Sequence, residues 1–86
     1  KLRIHVIPLV DTSDKPKIMI LESTDLVGEI KERLEVMFGH DENEFLVSWG
    51  GIILKEDDLI NHYRIEDDDE IVLIPHKLKE SANNES

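Results

Sequence analysis

The sequence predicts an α+β fold in which one α-helix packs across one face of a five-stranded mixed sheet. Several segments alternate between apolar and polar residues, or are apolar throughout, over the short lengths that are typical of strands. One segment in the first half of the chain instead has apolar residues at three- and four-residue spacing, as in an amphipathic helix. A Gly-Gly pair between two apolar runs indicates a tight hairpin.

The first two strands form a hairpin. The segment "KLRIHVI" alternates, which predicts a strand with one buried face. A segment rich in Pro, Ser and Asp follows and predicts a loop, and "KIMILE" predicts the second strand. The pattern of the second strand leaves open whether Ile18 and Ile20 or Met19 and Leu21 face the core.

The segment "STDLVGEIKERLEVMFGH" predicts the helix. Ser23, Thr24 or Asp25 can cap the first turn, and Asp25 is the expected N-cap, because its carboxylate can accept a hydrogen bond from a free N–H group there. Gly39 is expected to end the helix in a left-handed conformation. The apolar stripe that faces the core comprises Val27, Ile30, Leu34, Met37 and Phe38.

The second half of the chain completes the sheet. In "FLVSWGGIIL" alternation predicts that Val47 and Trp49 are buried, and Gly50-Gly51 fits a two-residue turn with positive φ. A polar connection with one short helical turn follows, and its expected anchors are Leu59, Tyr63 and Ile65.

The last strand, "IVLI", is apolar on both faces, which favours the middle of the sheet. The predicted strand order is therefore 2-1-5-3-4, with one helix across the sheet, which is a β-grasp. Residues 1–75 form the predicted domain. Residues 76–86 have no periodicity and predict a disordered tail or linker.

Composition narrows the class of protein. A chain of 86 residues is expected to form one domain, and its start at Lys1 suggests a fragment of a longer protein. The absence of cysteine excludes disulfides and thiolate metal sites and fits an intracellular protein, nuclear or cytoplasmic. No signal peptide or membrane-spanning apolar run is present.

Charge is the strongest functional indication. The net charge is −10, and residues 41–70 hold eleven acids against two bases, a net of −9. Such a domain repels phosphate backbones and attracts a basic protein surface. We therefore expect a protein partner, with neither nucleic acid nor membrane bound.

The glycine pair admits three interpretations. A phosphate loop leads into a helix, whereas Gly50-Gly51 leads into a strand. A conjugated modifier carries its Gly-Gly at an exposed C-terminus, whereas this pair is internal and residues 76–86 contain no glycine. The sequence therefore predicts a hairpin turn in a chain that is not conjugated.

The spacing over residues 2–74 resembles the ubiquitin-like superfamily, through "DLVGEIKERL", "LVSWGGIIL" and "DLINHYRIEDDDEIVLI". The acid run before the last strand resembles SUMO more than ubiquitin. This resemblance implies a SUMO-like, non-conjugated domain of a larger adaptor protein, whose acidic surface docks a basic partner such as the SUMO E2 conjugating enzyme. The acidic surface consists of Glu56, Asp57, Asp58, Glu66, Asp67, Asp68, Asp69 and Glu70.

The outer sheet face is the alternative binding surface. The resemblance to ubiquitin implies that the proteasome or ubiquitin receptors would bind there, and exposed apolar surface is typical of interaction sites. Ser48 stands where ubiquitin has the central isoleucine of its patch, which disfavours this alternative. By alternation the face carries Arg3, His5, Ile7, Leu46, Ser48, Val72 and Ile74.

The resemblance to SUMO also implies a weaker peptide groove between the second strand and the helix. Its expected lining is Met19, Leu21 and Ile30, and its expected cations are Lys17 and Lys31.

A third class of function is the acidic partner of a PB1-type heterodimer, which "YRIEDDDEIV" faintly resembles. The Asp-Gly-Asp-like turn of that motif is missing.

No catalytic, cofactor or metal site is predicted. The acid run lacks the central glycine of an EF-hand, and the histidines lack zinc-ligand spacing. We therefore expect a monomeric, non-enzymatic domain.

Overall fold

Five strands form one mixed sheet in residues 1–76, the part of the chain that this computed structural model describes. The sheet order β2-β1-β5-β3-β4 confirms the predicted one. β1 and β5 are parallel, and the other neighbouring pairs are antiparallel. The elements are β1 (Leu2–Pro8), β2 (Lys17–Leu21), α1 (Val27–Phe38), β3 (Phe45–Trp49), β4 (Ile52–Ile53) and β5 (Glu70–Pro75), with short 3₁₀ turns at Glu42–Glu44 and Ile60–His62.

The core lies between α1 and the inner face of the sheet. Ile71 and Leu73 of the central strand β5 are fully buried there. On β2 the structure decides the ambiguous alternation, because Met19 and Leu21 are buried while Ile18 and Ile20 are exposed on an edge strand. Apart from His76, the predicted tail lies outside the described residues. Within residues 1–76, no helix is long and apolar enough to cross a membrane.

The start of α1 differs from the prediction. Leu26, not Asp25, is the N-cap residue, and its side chain makes no capping hydrogen bond. The carboxylate of Asp25 instead accepts a hydrogen bond from the N–H of Glu22, at 2.9 Å. The first two N–H groups of α1 donate to the main-chain oxygens of Asp58 and Glu56, so a distant loop supplies the cap.

The two predicted glycine positions are confirmed. Gly39 ends α1 with φ 74°. Gly50 and Gly51 have φ 59° and 82° and connect β3 to β4, whose register pairs Trp49 with Ile52. Positive φ at both central residues matches the twist of a two-residue hairpin.

One predicted anchor of the connection after β4 is wrong by one residue. Leu59 is 39% exposed, whereas Ile60 is 1% exposed and belongs to the core. The reason is the phase of the 3₁₀ turn, which begins at Ile60 and directs this side chain inward, while Leu59 precedes it in an extended conformation. Ile65 is buried as predicted, and Tyr63 packs against the core from its edge.

Ile60→Ala and Leu59→Ala test this correction. Removing the buried Ile60 side chain leaves a cavity, so we expect a loss of about 2–5 kcal/mol in the free energy of unfolding. We expect Leu59→Ala to cost less than about 1 kcal/mol, because this residue is already 39% exposed in the folded state and lies outside the core. Urea unfolding followed by tryptophan fluorescence measures both, and equal losses would contradict the placement of Ile60 in the core.

Candidate interaction surface

The eight residues predicted as the acidic surface lie at one end of the sheet. Residues 66–69 form the turn that leads into β5. Because β3 runs antiparallel to β5, the C-terminal end of β3, at Trp49, lies beside this turn. The loop that contains residues 56–58 follows β4 and holds the start of α1. The fold therefore brings together two acidic segments that are separate in the sequence.

Asp69 organises the turn before β5. Its Oδ2 accepts a hydrogen bond from Trp49 Nε1, at 3.0 Å, and another from the N–H of Glu66, at 2.8 Å. Trp49 is thus only partly buried, in contrast to the full burial that alternation with Val47 predicts, because its indole N–H needs a polar partner at the edge of the core.

Tyr63 links this turn to the other acidic segment. Its ring packs edge-on against Trp49, with centroids 6.4 Å apart. Its hydroxyl donates to Asp58 Oδ2, at 2.7 Å, and accepts from the N–H of Lys55, at 2.9 Å. Burial raises the pKa of Tyr63, so the hydroxyl stays protonated and keeps donating to Asp58.

Arg3 fastens the turn to β1. Its N–H donates to Asp67 Oδ1, at 2.7 Å, and its guanidinium donates through Nε and Nη2 to Asp68 Oδ1, at 2.9 and 2.7 Å. His5 Nε2 lies 3.4 Å from the same oxygen. These hydrogen bonds, the one from Arg3 first, lower the pKa of Asp68, and the same ion pair raises the pKa of Arg3. Asp68 has φ 71°, a left-handed conformation that aspartate tolerates.

Glu56 is paired with a lysine, with Oε2 3.1 Å from Lys31 Nζ. Lys31 is 5% exposed, so it is not available as a cation of the predicted peptide groove. The lining expected for that groove is also wrong, because Met19, Leu21 and Ile30 are buried in the core.

The remaining expected groove cation, Lys17, donates to the main-chain oxygen of Met37, at 3.0 Å. Arg33 Nη2 donates to the main-chain oxygen of Ile20 on the edge strand, at 2.9 Å. This arginine therefore occupies an acceptor that an added strand would use.

The acids of the surface thus fall into two groups. In the first group, the carboxylates accept hydrogen bonds from other residues of the domain; this group comprises Glu56, Asp58 and Asp67–Asp69. Asp57, Glu66 and Glu70 are exposed and make no side-chain hydrogen bond or ion pair with any residue in the range 1–76. Only this second group is fully available to a partner.

The outer sheet face has the predicted composition, and the strand registers show how its residues meet. Val72 lies between Ile7 of β1 and Ser48 of β3, and Leu46 lies opposite Ile74. Ser48 Oγ donates to the main-chain oxygen of Val72, at 3.2 Å, so the hydroxyl at the centre of the face is already used.

Ile53 extends this row, because it pairs with Ser48 and is 43% exposed. The sequence reasoning missed Ile53, although the two-residue hairpin turn fixes its partner and could have revealed it. Arg3 and His5 lie at the end of the face and contact Asp68, so the two candidate surfaces are adjacent.

A second polar cluster, which the sequence reasoning also missed, surrounds His40. Its ring nitrogens lie 3.3 Å from Asp14, 3.7 Å from Asp11 and 3.4 Å from Glu44. Hydrogen bonds from Ser13 lower the pKa of Asp11. Residues so far apart in the sequence give no spacing signal of the kind that reveals metal motifs.

Comparison with known proteins decides the family. The model of the ubiquitin family matches residues 9–78 of this chain. The chain belongs to the ubiquitin family. Its structure is similar to that of Caldiarchaeum subterraneum ubiquitin, with a TM-score of 0.78 over 88% of this chain and 94% of that one. The two are only 20% identical in sequence, so the structural similarity shows a common fold alone. A search of curated protein sequences gives no match.

Membership of the ubiquitin family confirms the predicted superfamily and the β-grasp. A ubiquitin-family domain acts through protein contacts, so the family supports a protein-interaction module. The fold alone does not identify the binding surface or the partner.

Asp68→Asn tests the ion pair that fastens the acidic turn in this ubiquitin-family domain. Asparagine also tolerates positive φ, so the variant removes the charge without straining the backbone. Arg3 lowers the folded pKa of Asp68 below the unfolded value near 3.9. The pair therefore adds stability above that unfolded value and loses its contribution as the pH falls through the folded pKa.

We expect the native chain to melt at a higher temperature than Asp68→Asn at about pH 7, and the difference to shrink as the pH falls below the unfolded value. Glu70→Gln, which removes a charge that has no ion-pair partner within residues 1–76 from the first position of β5, is the control and should not reproduce this pattern. A difference that persists at the lower pH would show that the carboxylate charge is not its source.

Proposed function

We propose that this domain is a non-conjugated, SUMO-like protein-interaction module of a larger intracellular protein. It docks a basic partner through the acidic surface, and the SUMO E2 conjugating enzyme is the first candidate. One observation supports this most strongly: Trp49 and Tyr63 join the two acidic segments, through Asp69 and Asp58, into one surface.

The internal hydrogen bonds of the acidic surface do not neutralise most of its negative charge. Asp58 and Asp69 accept from neutral donors, which orient the carboxylates without compensating them. Within residues 1–76, only Glu56 and Asp68 of the surface lie within ion-pair distance of a lysine or arginine side chain. A charged surface that is held in one arrangement before binding loses less conformational entropy when a partner docks.

The charge distribution also favours a basic partner over the other classes. A surface with this excess of carboxylates speeds the approach of a cationic surface and disfavours an acidic one. Gly50-Gly51 is used as the hairpin turn, in keeping with a module that binds without becoming conjugated.

Titration of the SUMO E2 into ¹⁵N-labelled domain tests the proposal. We expect chemical-shift changes at residues 56–58 and 66–70 that weaken as salt is added, because exposed charges are screened. Substituting Asp57→Asn, Glu66→Gln and Glu70→Gln together removes the acids whose side chains have no partner within residues 1–76. We expect this to weaken binding by about tenfold, at several tenths of a kcal/mol for each rim charge.

The matched control removes the same charge elsewhere, through Glu32→Gln, Glu35→Gln and Glu42→Gln, and should change affinity little. Equal weakening by both triple variants would mean that only net charge matters. Binding that salt does not affect, or no binding at all, would refute docking of this E2 through the acidic surface.

A second candidate function is that of a ubiquitin mimic, which would bind the proteasome or ubiquitin receptors through the outer sheet face. The supporting observation is the row that Ile7, Val72 and Ile53 form on that face. Ser48 in the middle of the row weakens the case, because a hydroxyl replaces apolar contact area there.

Val72→Asp and Ile74→Asp test this candidate. A charge in the middle of an apolar contact costs its desolvation, so we expect either change to lower affinity for a ubiquitin-binding partner more than tenfold. Val36→Asp on α1, at a position that is 84% exposed, is the control. Unchanged shift dispersion in NMR spectra verifies folding, and binding that survives both sheet substitutions would exclude the sheet face.

A further inference from the structure

His40 lies among three carboxylates that come from other segments of the chain. Its Nε2 is 3.3 Å from Asp14 Oδ2 and 3.7 Å from Asp11 Oδ2, and its Nδ1 is 3.4 Å from Glu44 Oε1. The imidazole is 20% exposed, so it is mostly enclosed by these neighbours. The cluster joins the β1–β2 loop to the end of α1 and to the 3₁₀ turn before β3.

The histidine makes this cluster different from a group of acids on a surface. A neutral imidazole has one N–H, so only one of its two nitrogens can donate a hydrogen bond. Both nitrogens of His40 face carboxylate oxygens, and with a neutral ring one nitrogen lone pair would point at an anion. A cation next to Nε2 removes this repulsion, and the cation is either a second ring proton or a metal ion.

The distances on the Nε2 side are compatible with a metal site. In a tetrahedral zinc site with bonds of about 2.1 Å, neighbouring ligand atoms lie roughly 3.4 Å apart. The distances from Nε2 to the two aspartate oxygens, 3.3 and 3.7 Å, are close to this value. The ligand atoms of Asp11, Asp14 and His40 all lie within 4.8 Å of one another.

The surroundings hold these groups in suitable orientations. Ser13 donates to Asp11 Oδ1 through its N–H and its hydroxyl, at 2.9 and 2.7 Å, which leaves Oδ2 directed towards His40. Glu44 Oε1 lies 3.4 Å from Nδ1, so a small side-chain adjustment would let it accept a hydrogen bond from Nδ1–H. Histidines that bind metals characteristically donate their other N–H to a carboxylate in this way, which fixes the tautomer.

We propose that His40 Nε2, Asp11 Oδ2 and Asp14 Oδ2 bind one divalent transition-metal ion, of which zinc suits this nitrogen and oxygen donor set best. Water completes the coordination, since both carboxylates are partly exposed. The bound ion cross-links the β1–β2 loop to the end of α1 and stabilises the folded domain, because the unfolded chain does not hold these ligands together.

Titration of Zn²⁺ into tag-free, metal-free ¹⁵N-labelled protein tests the site. We expect binding of one ion, shift changes in residues 11–14 and at His40, and a melting temperature that rises with zinc concentration. His40→Gln and Asp14→Asn should each weaken binding at least tenfold. His62→Gln is the control, because His62 also lies near a carboxylate, Asp58, at 3.9 Å, and its loss should leave affinity unchanged.

Three results would overturn the proposal. The first is zinc-induced shifts centred on His62 or His5. The second is unchanged affinity in Asp14→Asn, a loop variant that decides the matter even where His40→Gln does not fold. The third is an absence of zinc-induced shifts together with ¹⁵N shifts of a doubly protonated His40 ring, which would make the cluster a pocket for an imidazolium ion.

Discussion

The attachment of the 55–61 segment to the start of α1 is the constraint on which the rest of the structure depends. Four main-chain hydrogen bonds of 2.8–3.0 Å run between them: Val27 N–H to Asp58, Gly28 N–H to Glu56, Ile60 N–H to Asp25 and Asn61 N–H to Ser23. A Cβ at Gly28 would lie 3.3 Å from the oxygen of Glu56, so only glycine allows this approach without adjustment. The bonds cap the helix, direct Ile60 into the core and hold one acidic segment beside the sheet. This segment of the acidic surface is therefore held by main-chain contacts that do not depend on its charges.

Much of this fold can be predicted from the sequence, because strands and helices impose periods of two and 3.6 residues that the apolar residues follow. The apolar run of β5 indicated the central strand, and Gly50-Gly51 indicated the hairpin. The errors arise where tertiary contacts override local preference. Asp25 has the right residue type for an N-cap, but carbonyl groups from a distant loop satisfy the helix instead. A single 3₁₀ turn is too short to show a period, so its phase at Ile60 could not be read from the sequence.

The candidate sites are harder to predict from the sequence than the fold is. The acid run predicts a negative surface, but its composition does not separate carboxylates that hold the fold from those that face solvent. Asp69 and Glu70 are neighbours in the sequence, yet Asp69 accepts hydrogen bonds from the indole of Trp49 and from the main chain, whereas Glu70 has no such contact within residues 1–76. The cluster around His40 could not be predicted, because only the packing of the β1–β2 loop against the end of α1 brings its members together.

The two proposed docking modes exclude each other on geometric grounds. Val72 and Glu70 point to the same face of β5, two residues apart, which is about 7 Å along a strand. A stable protein interface covers about 800 Å² on each partner and extends well beyond that distance. A partner centred on Val72 would therefore reach Glu70 and the Arg3–Asp68 pair, and would bury their charges. The free-energy cost of burying these charges is small for a basic partner, which compensates the carboxylates, and large for an apolar helix. The position of the acids at the edge of the sheet face thus favours a partner that recognises the acidic surface.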